Sequence, residues 1–155
     1  MIEVRELKKE EVSGALSLSL KVFLECNFAD YNKEGVELIK KFINDNKIVN
    51  LLTIYGALEN GELIGIIGVK NFGAHISLFF VDKKAQGRGV GRSLFEFFIE
   101  DTKTSHITVS SSTYAVEIYK KMGFVQLGKQ ETQNGLTFVL MEYKSYQNIG
   151  ALSPK

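Results

Sequence analysis

The sequence predicts an α/β (α+β) domain in which a mixed β-sheet carries helices on both faces, and three observations predict it. Segments with apolar residues at helical spacing are interleaved with segments that alternate apolar and polar residues or run almost wholly apolar. Asn-Gly falls twice between β-rich runs, at Asn60-Gly61 and Asn134-Gly135, and this is the strongest short-range hairpin signal. The apolar run His75–Val81 leads directly into a glycine-rich stretch that opens a helix.

Taken in order, residues 2–6 alternate as a short strand does. From about Lys8 the period changes, and Val12, Leu16, Leu20 and Phe23 define a helix ending near Cys26. A second helix is predicted from Lys33 to Asn46, with Val36, Ile39, Phe42 and Ile43 as its stripe. The polar and aromatic link between them, residues 27–32, has the character of a binding lip. Leu51–Leu58 and Leu63–Val69 should pair antiparallel around Asn60-Gly61, and His75–Val81 reads as an interior strand. Residues from Val90 to about Lys103 form the next predicted helix, Ile107–Val109 a short strand, Thr113–Met122 a short helix, and Phe124–Gln130 with Leu136–Tyr143 a final hairpin.

The chain has 155 residues, 45% of them hydrophobic, enough for one core, so one domain over residues 1–144 is expected, with residues 145–155 as a frayed tail. With 19 basic and 18 acidic residues the formal net charge is +1, which gives no reason to expect nucleic acid or a membrane surface as partner. Monomer and homodimer both stay open. Cys26 is the sole cysteine and His75 and His106 the only histidines, which rules out an intramolecular disulfide and predicts no metal site. Cys26 also has no basic partner apparent in the sequence that would activate it. The charged start of the chain and the absence of a run of about 20 apolar residues predict a cytoplasmic protein.

In Gln86-Gly87-Arg88-Gly89-Val90-Gly91 the glycines remove side chains where a strand gives way to a helix, so several backbone N–H groups can converge on one anion. Arg88 and Arg92 add cationic donors, and the helix dipole favours the same charge. A pyrophosphate fits this without a metal; a turn kept only for packing is the alternative. The spacing does not make a P-loop, since Gly-Lys-Ser/Thr is missing, nor a dinucleotide fingerprint, since the third glycine is missing.

After the apolar run ending Leu78-Phe79-Phe80-Val81-Asp82, this stretch resembles the signature Arg/Gln-x-x-Gly-x-Gly/Ala of the GNAT superfamily of acyl-CoA-dependent N-acetyltransferases. Downstream, Ser112 to Phe124 is similar to the family block Asn-x-x-Ala-x-x-x-Tyr-x-x-x-Gly-Phe, with Ala115, Tyr119, Gly123 and Phe124 in place and Ser112 where the family carries asparagine. Two motifs in the right order make the resemblance specific. It implies a mostly antiparallel sheet of six to seven strands flanked by about four helices.

The resemblance also implies a function: transfer of an acetyl group from acetyl-CoA, the co-substrate, to a primary amine of a small molecule or peptide, by direct attack in a ternary complex. The free backbone of Phe79, Phe80 and Val81 would pair with the pantetheine arm, the stretch Gln86, Gly87, Arg88, Gly89, Val90, Gly91 and Arg92 would hold the pyrophosphate, and Ser112 would replace an asparagine contact. Tyr119 would protonate the departing thiolate; its other reading is a core aromatic. His75 is the candidate general base, because strand alternation puts His75, Ser77, Phe79 and Val81 on one face. Glu25, Phe28, Asp30 and Tyr31 are expected to line the acceptor entrance, an acidic and aromatic lip suited to a cationic amine. A cofactor-binding sensor that has lost turnover is the competing function.

Overall fold

The first strand, β1 (Ile2–Glu6), is followed by a short 3-10 turn and by α1 (Val12–Cys26), α2 (Lys33–Ile43) and α3 (Asn46–Val49). The computed structural model describes residues 1–26 and 30–145, so Phe28 and the tail beyond Ser145 lie outside the described residues. Three strands follow, β2 (Thr53–Glu59), β3 (Glu62–Lys70) and β4 (His75–Val81), and then α4 (Val90–Thr102), β5 (His106–Ser111), α5 (Val116–Lys121), β6 (Val125–Gln126), β7 (Glu131–Gln133) and β8 (Leu136–Lys144). The strand order is β1-β2-β3-β4-β5-β8-β6, with β7 pairing β8, and every pairing is antiparallel except β4 with β5.

Both Asn-Gly turns have two successive left-handed residues, Asn60 and Gly61 at φ 53° and 79°, Asn134 and Gly135 at φ 52° and 79°. That is the type I′ geometry whose twist matches the flanking strands. The sheet buries both faces. On one, α1 packs Ala15, Leu18 and Val22 against Ile54, Ile66 and Leu78; on the other, α4 packs Val90, Leu94, Phe95 and Phe98 against Ile67, Val69, Ile76, Ile107 and Met141. Among the described residues no helix is long and apolar enough to cross a membrane.

Several boundaries differ from the sequence expectation. The helix expected over residues 33–46 is two helices, because Asn44 closes α2 and the Asp45 carboxylate accepts from the Lys47 and Ile48 amides to start α3. The strand expected from Leu51 begins at Thr53, and Thr113–Ala115 is a 3-10 turn that precedes α5. The limb expected from Phe124 to Gln130 is divided: Val125 and Gln126 pair with Glu142 and Met141, and the chain re-forms a strand only at Glu131 to pair with Phe138. Among the described residues there are therefore eight strands in the sheet where six to seven were expected, and five α-helices where about four were.

Two irregularities place the site. β4 and β5 pair only at His75 with Thr108 and Ile76 with Val109, after which β5 continues along β8 and the two strands part. On its other side β4 stays paired with β3 as far as Val81, but the register slips between Gly68 with Leu78 and Val69 with Ile76, leaving Ser77 as an extra residue. This β-bulge reverses the alternation.

Candidate active site

Past Ile76 the edge of β4 has no strand beside it on the β5 side among the described residues, and the gap opens into a cleft of about 950 Å³. One wall comes from α1 and α2, through Val22, Phe23, Ile39 and Phe42; the other comes from the glycine loop, α5 and the end of β5. A forked sheet exposes unpaired peptide groups that an extended ligand can bond as a further strand would.

The loop at the mouth is held from below by Asp82, a buried carboxylate that accepts from the Lys84 amide at 3.2 Å and pairs with Lys21 at 3.3 Å. Burial alone would raise its pKa, but these donors hold it below the usual value. Gly87 and Gly89 have φ of 81° and 80°, a conformation that costs a side-chain-bearing residue strain whatever the room around it. Gly89 is the N-cap of α4 and supplies no side-chain cap, so the first N–H groups of that helix keep their capacity for an anion. Gly91 has ordinary φ, and a Cβ there would make normal contact with the Phe79 ring.

The side chains around the loop are placed differently from expectation. The Arg88 guanidinium is turned onto Glu59 in a two-pronged pair at 3.2 and 2.5 Å, and Arg92 donates to the Lys121 carbonyl at 2.9 Å. The anion-binding capacity of the loop therefore lies mainly in its backbone. Gln86 works as a strut: its Nε2 donates to the Val81 carbonyl at 3.0 Å, and its Oε1 accepts from the Tyr114 hydroxyl at 3.3 Å. Ser112 caps the 3-10 turn, its Oγ accepting from the Ala115 amide at 3.2 Å.

Tyr119 projects from α5 into the cleft wall, 7% exposed, its ring edge-on to Phe79 and Phe124 at 5.9 and 5.1 Å between centroids. Its hydroxyl has no hydrogen-bond partner among the described residues. Burial pushes its pKa up, which keeps the phenol protonated. His75 stands at the apex of the fork, half-buried, with Nδ1 2.8 Å from Thr108 Oγ1. Burial, then the charge of Lys70, lowers its pKa and keeps the imidazole neutral. The expectation that His75 shares a face with Phe79 and Val81 is corrected by the bulge: Ile76, Phe79 and Val81 pack on the α4 face, whereas His75, paired with Lys70, belongs with Leu78 and Phe80 on the α1 side.

The acidic entrance does not form as expected. Asp30 is buried, and both carboxylate oxygens accept from Thr113, one from its amide at 2.9 Å and the other from its hydroxyl, so the residue ties the α1–α2 link to the turn before α5. Glu25 is exposed and does not line the cleft. Tyr31 does line it, its ring tilted against that of Phe23 with 4.2 Å between centroids. The link is also tied to the β7–β8 turn: the Asn32 amide donates to the Gly135 carbonyl at 3.2 Å, Tyr31 bridges to Leu136, and a Cβ on Gly35 would run into the Gly135 carbonyl oxygen. Sequence reasoning missed Lys70, Phe23 and Phe42 as lining residues, because their approach depends on the bulge and on how α1 and α2 pack.

Comparison with known proteins agrees with this architecture. Residues 27–145 match the family model described as an acetyltransferase (GNAT) domain. The peptidyl-lysine N-acetyltransferase YjaB of Salmonella typhimurium is 26% identical over 140 residues, covering 86% of this chain and 90% of that protein. Among solved structures, a GCN5-related N-acetyltransferase from Rhodopseudomonas palustris has a TM-score of 0.78 at 20% identity, covering 92% of this chain and 94% of that one. The PaiA N-acetyltransferase of Thermoplasma acidophilum, solved with coenzyme A, has a TM-score of 0.71 at 21% identity over 93% and 99% of the two chains. The fold and the match together define an acetyl-transferring enzyme. The chain belongs to the GNAT acetyltransferase family, which uses acetyl-CoA.

Proposed function

We propose that this chain, as one transferase domain over residues 1–144, catalyses direct acetyl transfer from acetyl-CoA to a primary amine of a small molecule or peptide within a ternary complex. One observation carries the reading: the Tyr119 hydroxyl and the edge of β4, both without a partner among the described residues, line the same cleft, whose mouth is the helix N-terminus at Gly89, which has no side-chain cap. The residues fit the co-substrate. Backbone N–H groups from Gly87 to Arg92 would take its pyrophosphate, the strand edge Phe79–Val81 its amide-bearing arm, with Ser112 able to donate its hydroxyl proton. Acetyl-CoA supplies the activated thioester.

The residues of the chain then divide the proton work. Tyr119, kept neutral by burial, gives its phenolic proton to the departing thiolate. Thr108 Oγ1 lies 3.4 Å from the Ala74 carbonyl, which can take its single proton; His75 then donates from Nδ1 and holds Nε2 as a lone pair for the amine proton. Among the described residues no aspartate or glutamate lines the cleft to serve instead. Thiol release from acetyl-CoA across a panel of amines, amino acids and peptides tests the reading. Tyr119→Phe is expected to lower kcat about 100-fold while acetyl-CoA binding is retained; a wild-type kcat removes the acid role, and bound acetyl-CoA with no turnover on any amine removes the transferase reading.

A further inference from the structure

Charge is distributed one-sidedly in this cleft. No aspartate or glutamate lines it, and the residues outside the described ones contain none either. Four basic side chains do line it, Arg92 and Lys121 beside the glycine loop, Lys70 and His75 at the fork. The first pair lies where the co-substrate's phosphates are proposed to sit. The second pair has no such duty.

Lys70 ends β3 directly opposite His75 in the antiparallel register and is exposed, with no ion-pair partner among the described residues. Opposed residues on one face of such a pair have Cβ atoms about 5 Å apart, so a cation and a neutral imidazole are presented side by side at the point where β4 and β5 separate. Beyond them the wall is apolar and aromatic: Val22, Phe23, Ile39, Phe42 and Phe80. The site thus offers an anion-binding group, a proton acceptor beside it, and a hydrophobic surface.

On the reading proposed above, we infer that the acceptor is a small primary amine with an apolar or aromatic body and a carboxylate close to the amine, as in an apolar α-amino acid, the carboxylate held by Lys70 and the amine turned to His75. The short separation of amine and carboxylate in such a molecule matches the adjacency of the two side chains. Polyamines and aminoglycosides, carrying several positive charges, meet the Lys70 cation at the fork and no aspartate or glutamate among the described lining residues, which selects against them.

The test compares kcat/KM for phenylalanine and leucine with their decarboxylated counterparts, phenethylamine and isoamylamine, with spermidine, and with a lysine-containing peptide. The amino acids are expected to exceed their counterparts at least tenfold, with spermidine poorest. Lys70→Glu should lower the ratio of carboxylated to decarboxylated substrate at least tenfold, and Lys70→Arg should restore it. Calorimetric titration of phenylalanine into CoA-saturated protein should show the same weakening by Lys70→Glu. Preference for spermidine, for the decarboxylated amines or for the peptide, or an equal effect of Lys70→Glu on both members of a pair, overturns this inference and leaves the transferase reading standing. Acetyl-CoA binding without turnover of any amine overturns both.

Discussion

At the scale of single residues, the proposed chemistry rests on two groups, Tyr119 and His75, whose protonation is shifted by their surroundings. His75 is neutral because burial, and then the positive Lys70, disfavour its imidazolium. A base works in its deprotonated form, so the acid limb of kcat/KM is expected below the ordinary histidine value of 6.5, and His75→Ala should abolish that limb. Thr108→Val should leave acetyl-CoA affinity intact and lower kcat, since it removes the hydroxyl that, in the proposed mechanism, accepts from His75 Nδ1 and selects its tautomer. The same shift enters stability with a definite sign: as pH falls through 6.5 the unfolded chain takes up the proton before the folded one, so stability declines, and a denaturation series against pH should be flatter in His75→Ala. Glu11 acts similarly at lower pH. Its hydrogen bond to Arg5, with that to the Lys8 amide, lowers its pKa to about 2, so its contribution is present above 4.5 and is lost as pH falls toward 2.

Among the elements, the glycine loop and the forked strand do different work, and substitutions separate them. Gly89→Ala places a Cβ in left-handed backbone, which costs roughly 1–2 kcal/mol, and reorients the first N–H groups of α4; acetyl-CoA affinity is expected to fall at least tenfold by calorimetry. Gly91→Ala meets only ordinary contact with Phe79 in a helical first turn, so a thermal melt should show no loss. Gly35→Ala would push α2 off the β7–β8 turn and should destabilise by about 1–3 kcal/mol as overpacking does. Much of this layer was legible beforehand: the two Asn-Gly turns, the strand before the loop and the two motifs rest on local backbone demands that leave residue signatures. The bulge at Ser77 was not legible, because a register slip depends on the partner strand, and with it went the facing of His75 and the approach of Lys70. Asp30 was misplaced for a related reason: an acid in a loop reads as solvated until Thr113, 83 positions away, is known to lie against it.

For the molecule as a whole, the cleft is a seam between halves that the co-substrate should join. Acetyl-CoA at 100 times its dissociation constant should stabilise the fold by about 2.7 kcal/mol, read as a rise of several degrees in the melting temperature at this chain length. Tyr119→Phe should show the same rise, since it keeps the cradle. The placement of β8 has a different consequence. The last strand described is paired on both sides, with β5 and with β6, and its hairpin turn also receives the α1–α2 link through Asn32 and Tyr31. During synthesis the N-terminal helices and β1 to β4 can associate early, but the strand that completes the sheet and fastens the link arrives only after residue 136 has been made. Topology thus sets an expected order of assembly: a nascent chain stopped near residue 130 holds both sequence motifs and yet lacks β8, the antiparallel partner of β5 along its whole length, so the sheet on that side of the cleft should be the last part to form.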